Sequence, residues 1–349
     1  MILETSVKTD KFTTAIAKMF DYEFSGTTHF QTHDKPVLDK DFSIGLIVGS
    51  SGSGKSTLLK EYGIAKEIDW QQDLSIASHF ASIDDAVNKL SAVGLNSIPS
   101  WMKPFHVLST GEQFRANLAR TVESNCVIDE FTSVVNRDVA KSTATSISKY
   151  IKSNNLTNVV FASCHDDIID WLEPDWVYHT DTKTLSRGSL WHRPRISLDI
   201  YSVSYKAWDM FKNHHYLSND ISKSSRCFLG LYNNNPIAFG SVLAMPNGNI
   251  KNAFRGHRTV ILPDFQGQGL GVRFSDAIGE IMIAEGKRYF SRTIHPRMGF
   301  YRNNSVLWKP TSKNMKLRTD VKHQNVFNGH YADNKRICFS HEYIGKSVE

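Results

Sequence analysis

Eight residues early in the chain, Gly49-Ser-Ser-Gly-Ser-Gly-Lys-Ser56, have the composition of a phosphate cradle. The apolar run at 42–48 reads as a buried strand that enters it, and Thr57-Leu-Leu59 as the start of a helix that leaves it. Gly49, Gly52 and Gly54 let the chain curl so that N–H groups, including those of Ser50 and Thr57, face phosphate oxygens. Lys55 is then placed to reach the β- and γ-phosphates, and Ser56 to ligate Mg²⁺. The implied ligand is ATP with its metal.

Further along lie Leu108-Ser-Thr-Gly-Glu-Gln-Phe-Arg-Ala-Asn-Leu-Ala-Arg120, Val127-Ile-Asp-Glu130, Thr132-Ser-Val-Val-Asn136 and Phe161-Ala-Ser-Cys-His-Asp166. Asp129 ends an apolar run and is a Mg²⁺ ligand by type, and Glu130 beside it can polarise water. Ser109 and the N–H of Gly111 open a helix and form a second anion site. In this order the segments resemble the signature, Walker B, D-loop and switch-histidine motifs of ABC ATPases, over residues 1–190. The resemblance implies that His165 senses the γ-phosphate. It also implies that the helix after Ser109 faces the triphosphate of a second subunit, hence a homodimer through the ATPase domains. Thr110, Glu112, Phe131 and Asn136 depart from the family pattern. Gln72 is the candidate Q-loop ligand for Mg²⁺, with Gln71 as alternative; Tyr22 is the candidate adenine-stacking ring, with Phe20 and Phe24 competing. Only residues 57–107 separate the phosphate loop from the signature, so the helical lobe is reduced.

In the second half, residues 196–203 read as a strand and 204–215 as a helix capped by Ser204. Two apolar runs, 226–232 and 237–243, are joined by Asn233-Asn-Asn-Pro236, which is hairpin chemistry. A strand at 258–262 leads into Pro263-Asp-Phe-Gln-Gly-Gln-Gly-Leu-Gly271, then a helix at 272–286 and a strand at 288–294. Gln266, Gly269 and Gly271 resemble motif A of the GNAT acetyltransferases. That resemblance implies that Leu262 and Gln266-Gly267-Gln268-Gly269-Leu270-Gly271 bind acetyl-CoA, or another acyl-CoA, through N–H groups at a helix N-terminus. Tyr301, in Gly299-Phe-Tyr301, resembles the GNAT tyrosine that protonates the departing thiolate, though it follows Gly-Phe instead of preceding it; aromatic packing is the alternative. His214-His215-Tyr216-Leu217 offers either a general base or a structural histidine pair. The same stretch resembles a histidine-bearing helix of the phage Mom family of DNA-modifying proteins. The domain order resembles ABC ATPase–acetyltransferase fusions of archaea and phages.

The elements that hold these residues divide at 182–195, where Arg193-Pro-Arg195 breaks local structure. The expected fold class is α/β: a P-loop ABC ATPase domain over 1–190, then an α+β GNAT-like domain over 191–349. Charge changes sign across the boundary. Residues 1–190 hold 18 Lys and Arg against 24 Asp and Glu, and residues 191–349 hold 23 against 11. An excess of +12 exceeds what one coenzyme needs and points to nucleic acid as a second anion, a role that the basic and aromatic residues between Trp308 and Arg318 also suit. No apolar run suits a bilayer, the N-terminus lacks a secretory pattern, and Cys126, Cys164, Cys227 and Cys338 lack metal or CxxC spacing. These features predict buried free thiols and a cytoplasmic location, in the host cell for a phage protein.

Three functions fit. The first is an ATP-coupled acyltransferase that modifies a DNA base or tRNA. The second is an ABC-type switch or clamp whose GNAT-like domain only binds. The third is an ATP-regulated acetyltransferase of protein or small molecules.

Overall fold

The computed structural model describes residues 2–38, 41–187, 191–215, 220–246, 250–317 and 337–345. Tyr216, Leu217 and Arg318 lie outside them. The chain divides into two compact units, Met1–Leu95 with Ser100–Pro194, and Asn96–Pro99 with Arg195–Glu349. The fold class is mixed α/β. No helix of the described residues is long and apolar enough to cross a membrane.

The first unit is built on a five-stranded sheet. Its spatial order is Val127–Ile128, Val159–Ser163, Ile44–Val48, Trp176–His179, Thr184–Arg187. The first four run parallel and the last turns back. Ile44–Val48 and Val159–Ser163 are buried throughout, as continuous apolar composition requires of parallel strands covered on both faces. Gly45 has a steric reason: a Cβ there would meet the Trp176 indole at 2.1 Å. Helix Arg137–Ser153 starts at Asn136, whose Oδ1 accepts from the Val139 N–H at 2.9 Å, and buries Val139, Ala144, Ile147 and Ile151. A separate ribbon pairs Ile2–Ser6 with Thr27–Gln31 around helix Lys11–Met19.

Among the described residues the second unit holds an eight-stranded mixed sheet, one strand of which, Lys316–Leu317, pairs off the main path with Ile337–Tyr343. Its main path runs Trp308–Pro310, Ile337–Tyr343, Arg288–Thr293, Ala253–Ile261, Asn235–Ala244, Arg226–Tyr232, Asp199–Val203. Helix Leu270–Ala284 packs on it through Phe274 and Ile278. The contact depends on bare backbone opposite: a Cβ on Gly240 would meet Ile278 Cδ1 at 2.4 Å. Truncating the buried Phe274 to alanine is expected to cost about 3–5 kcal/mol.

Several expectations need correction. Residues 204–215 form two 3₁₀ turns, Tyr205–Met210 and Lys212–His214, and not an α-helix. Tyr205, Trp208 and Phe211 recur every three residues, which is the 3₁₀ period, and the last two are buried. Ser204 still caps the turn, accepting from the Lys206 N–H. The strand expected at 258–262 begins five residues earlier, at Ala253, and the one expected at 196–203 begins at Asp199. All four cysteines are free, but only Cys227 is buried; Cys164 is exposed.

Candidate functional site

In the first unit the parallel register decides the geometry. Leu46 pairs with Phe161, and Phe161 with Ile128, so all three strands end at one edge of the sheet. Gly49, Asp129 and the Cys164–His165 pair therefore share the carboxyl edge, where open α/β sheets place ligands. The phosphate loop needs glycine: φ is +78° at Gly52 and +90° at Gly54, and Gly54 caps helix Lys55–Leu59. Lys55 Nζ donates to the Ser50 carbonyl at 2.5 Å within the loop. Ser56 and Thr57 follow in that helix's first turn.

Residues that the sequence did not single out hold this loop. Asp181 Oδ2 accepts from the Ser50 N–H at 2.8 Å, and Oδ1 from its hydroxyl at 2.7 Å. These two bonds hold the Asp181 carboxyl below its ordinary pKa. Thr180 Oγ1 and Ser53 Oγ lie 2.6 Å apart, and His33 Nε2 lies 2.7 Å from the Ser53 carbonyl oxygen.

Around the acidic pair, Asp129 Oδ1 accepts from the Glu130 N–H at 2.8 Å. Glu130 has φ +49° and Thr132 φ +69°. Left-handed backbone in side-chain-bearing residues stores strain of the kind that gathers at functional sites. The Phe131 N–H donates to Ala162 O at 2.7 Å, tying this turn to the His165 strand. Ser133 Oγ lies 3.7 Å from Cys164 Sγ, and Cys164 Sγ 3.4 Å from His165 Nδ1, so the D-loop-like and switch-like segments touch.

Ser109 caps helix Thr110–Thr121 in a capping box with Glu112. Glu112 Oε2 accepts from both the Ser109 N–H and its hydroxyl at 3.0 Å, and Oε1 from Ser100 Oγ at 2.6 Å. Burial pulls the Glu112 carboxyl up, but the Ser100 and Ser109 bonds outweigh it and leave it below the ordinary value. Gly111 leaves the helix start open: a Cβ there would find only Val139 Cγ1, at 3.9 Å. Gln72 sits exposed in a turn, and Tyr22 and Phe20 are exposed beyond helix Lys11–Met19.

In the second unit, strands Ala253–Ile261 and Arg288–Thr293 pair in parallel only from Ala253↔Arg288 to Arg255↔Phe290. Beyond that point the register ends and the strands part. A pocket of about 340 Å³ opens there, lined by Gly256–Ile261 on one side and Ser291–Thr293 on the other. The glycine loop forms its next wall. Gly267 and Gly269 hold φ of +88° and +87°, and Gly269 caps helix Leu270–Ala284. Gln266 Nε2 donates to Ile261 O at 2.8 Å, fixing the loop to the strand before it. Gln266, Gly267, Gly269, Leu270 and Gly271 line the pocket.

His214 and His215 line it as well, but the next histidine on its wall, His257, was not read from sequence. The ladder to Asn235–Ala244 shifts there: Ser241 faces Arg258 and Val242 faces Gly256, so His257 is the extra residue of a β-bulge. Its Nε2 is buried and has no hydrogen-bond partner among the described residues. Burial first, then the Arg258 and Arg255 charges, lower its pKa to about 4. Burial, Arg258 and His257 do the same for His215, also to about 4. Both rings are neutral near pH 7.

No family model matches the chain, and no curated protein matches it. Solved structures do. A dimeric ATP-binding cassette in a post-hydrolysis state, bound to ADP and Pi, is similar at 15% identity and TM-score 0.36, over 54% of this chain and 98% of that one. An IAA acetyltransferase from Bacillus cereus is similar at 11% identity and TM-score 0.31, over 42% of this chain and 99% of its own. A GNAT family acetyltransferase from Elizabethkingia anophelis, with acetyl-CoA bound, gives 11% identity and TM-score 0.28, over 42% and 97%.

Tyr301 is not drawn to the pocket. It lies on helix Pro296–Asn304, and its hydroxyl donates to the buried Asp276, which also accepts from Trp308 Nε1 at 2.8 Å. Burial and the Asp276 bond raise the Tyr301 pKa. That bond tethers the Tyr301 hydroxyl within the second unit, beside the helix that carries Asp276.

Proposed function

We propose that the protein binds and hydrolyses Mg²⁺-ATP in an ABC-type domain over residues 1–190, as a homodimer. In this reading the GNAT-like domain over 191–349 transfers an acyl group from acetyl-CoA, or another acyl-CoA, to nucleic acid. One observation carries it: a single chain holds two glycine loops at helix starts, Gly49–Ser56 and Gln266–Gly271, each at the carboxyl end of a sheet strand. Such loops bind pyrophosphate and triphosphate groups through N–H donors.

In the first site Lys55 and the loop hold the phosphates, and Ser56, Asp129 and Gln72 hold the metal. The metal supplies charge for the γ-phosphate. Glu130 orients the attacking water and His165 the γ-phosphate. Ser109 and Gly111 of the other copy complete the site, and Tyr22 stacks on the base. In the second site Leu262 and Gln266–Gly271 hold the coenzyme pyrophosphate, and the parted strands offer their edges to its pantetheine arm. His214 and His215 stand on the acceptor side. The basic balance of residues 191–349 supports nucleic acid as acceptor.

Acyl transfer itself needs no ATP, so the ATPase acts by changing conformation. Calorimetry with ATP and with acetyl-CoA tests the two sites separately. Micromolar binding of both is expected; no heat with acetyl-CoA overturns the transferase half. A second reading, a GNAT-like domain that binds coenzyme A without chemistry, is favoured by the Tyr301–Asp276 bond, which occupies the hydroxyl first assigned as acid. Tight coenzyme binding with no acylated nucleoside in mass spectra of cellular DNA and RNA would select it.

A further inference from the structure

The wall of the second-unit pocket is chemically one-sided. Arg258, Arg292, Arg297 and Arg302 line it together with His215 and His257, and among the described residues no aspartate or glutamate does. The glycine loop already provides for a coenzyme pyrophosphate. Arg258 follows the bulge residue His257 on strand Ala253–Ile261. It is fixed by bonds from its guanidinium to the backbone oxygens of His257 and Asp220 at 3.2 and 3.0 Å.

Such a wall repels an alkylammonium. A lysine side chain or polyamine is protonated at neutral pH, with a pKa near 10.4, and must lose a proton before it attacks. Among the described lining residues there is no carboxylate to attract it or take that proton. A nucleobase-type exocyclic amine is uncharged at neutral pH and needs only a weak base as its C–N bond forms. The half-buried imidazoles of His215 and His257, neutral near pH 7, suit that demand.

We infer that the acceptor is an uncharged, weakly basic amine on a phosphate-bearing molecule, held at the bulge by Arg258 and Arg292, with His257 as proton acceptor. This rests on the transferase reading above and narrows it. The amine nitrogen attacks the thioester carbonyl carbon. The C–N bond forms, and the C–S pair leaves on sulfur. The amine proton passes to His257 Nε2 and then to the thiolate, giving amide, free thiol and a neutral histidine again.

The test uses the full chain with its ATP site filled by a non-hydrolysable analogue. Binding of short mixed-sequence single-stranded DNA and RNA is followed by fluorescence anisotropy, and acetyl-CoA by calorimetry. Arg258→Ala and the exposed Arg292→Ala should each weaken oligonucleotide binding tenfold or more, and acetyl-CoA binding by a clearly smaller factor. His257→Gln should keep both affinities and slow single-turnover transfer from acetyl-CoA at least about 100-fold. Wild-type affinity for oligonucleotide in both arginine variants overturns the inference. So does acetylation of a lysine peptide or spermidine, or no transfer to either polymer by the wild type. Failure of wild type to bind acetyl-CoA instead overturns the transferase reading itself.

Discussion

The carboxylate of Asp181 grips Ser50 twice, by its backbone N–H at 2.8 Å and its hydroxyl at 2.7 Å. It thereby pins the entrance of the phosphate loop from the turn after strand Trp176–His179. Asp181→Ala is expected to raise the Kd of a fluorescent ATP analogue about tenfold, by leaving the loop unpositioned. Asp181→Asn keeps one acceptor oxygen and is expected to cost less than threefold. Tighter nucleotide binding in the alanine variant would show that the carboxylate opposes the phosphates instead.

Glu112 places negative charge at the start of helix Thr110–Thr121, beside Ser109. In the proposed dimer a γ-phosphate approaches the same place. Glutamine at this position can still close the capping box. Glu112→Gln is thus expected to strengthen ATP-dependent self-association several-fold with little change in thermal stability. Sedimentation at graded ATP concentrations reads the effect.

Tyr301, Trp308 and Asp276 form one buried network, so removing a hydroxyl leaves an acceptor short of a donor. Tyr301→Phe should destabilise the second unit by about 1–2 kcal/mol in urea while leaving acetyl-CoA affinity unchanged. A collapse of acyl transfer without loss of stability would return Tyr301 to a chemical role.

His215 and His257 titrate near 4 in the folded chain because burial and the Arg258 charge disfavour their protonated forms. In the unfolded chain histidine titrates near 6.5. Between those values the unfolded state binds more protons, so stability falls as pH drops from 6.5 toward 4. Their contribution is complete above that window. Denaturant midpoints at pH 7.5, 6 and 5 should decline in that order, and less steeply in His257→Gln.

Much of the fold was legible because its strands are strongly patterned. Val159–Ser163 and Ile44–Val48 are continuous apolar runs, and Asn233–Asn234 marks the turn of the 226–244 hairpin. Register made the difference elsewhere. His257 becomes a bulge residue only because Asn235–Ala244 shifts past it, and no local feature of Gly-His-Arg announces that. Asp181 meets Ser50 across 131 positions of sequence, through strand order alone. The 3₁₀ turn at Tyr205–Met210 was readable in its three-residue aromatic spacing, which a helical expectation masked. Tyr301 resembled a catalytic position by its neighbours in sequence, whereas Asp276, 25 positions away, determines what its hydroxyl does.

The most direct measurement is the mass in solution of Glu130→Gln with Mg²⁺-ATP, by light scattering on a size-exclusion column. Slowed hydrolysis should trap two chains closed over two triphosphates, Lys55 of one copy facing Ser109 of the other. Twice the chain mass is expected with ATP and the single mass with ADP. A single-chain mass at saturating ATP, in a variant shown by calorimetry to bind it, would contradict the closed dimer on which the ATPase mechanism depends.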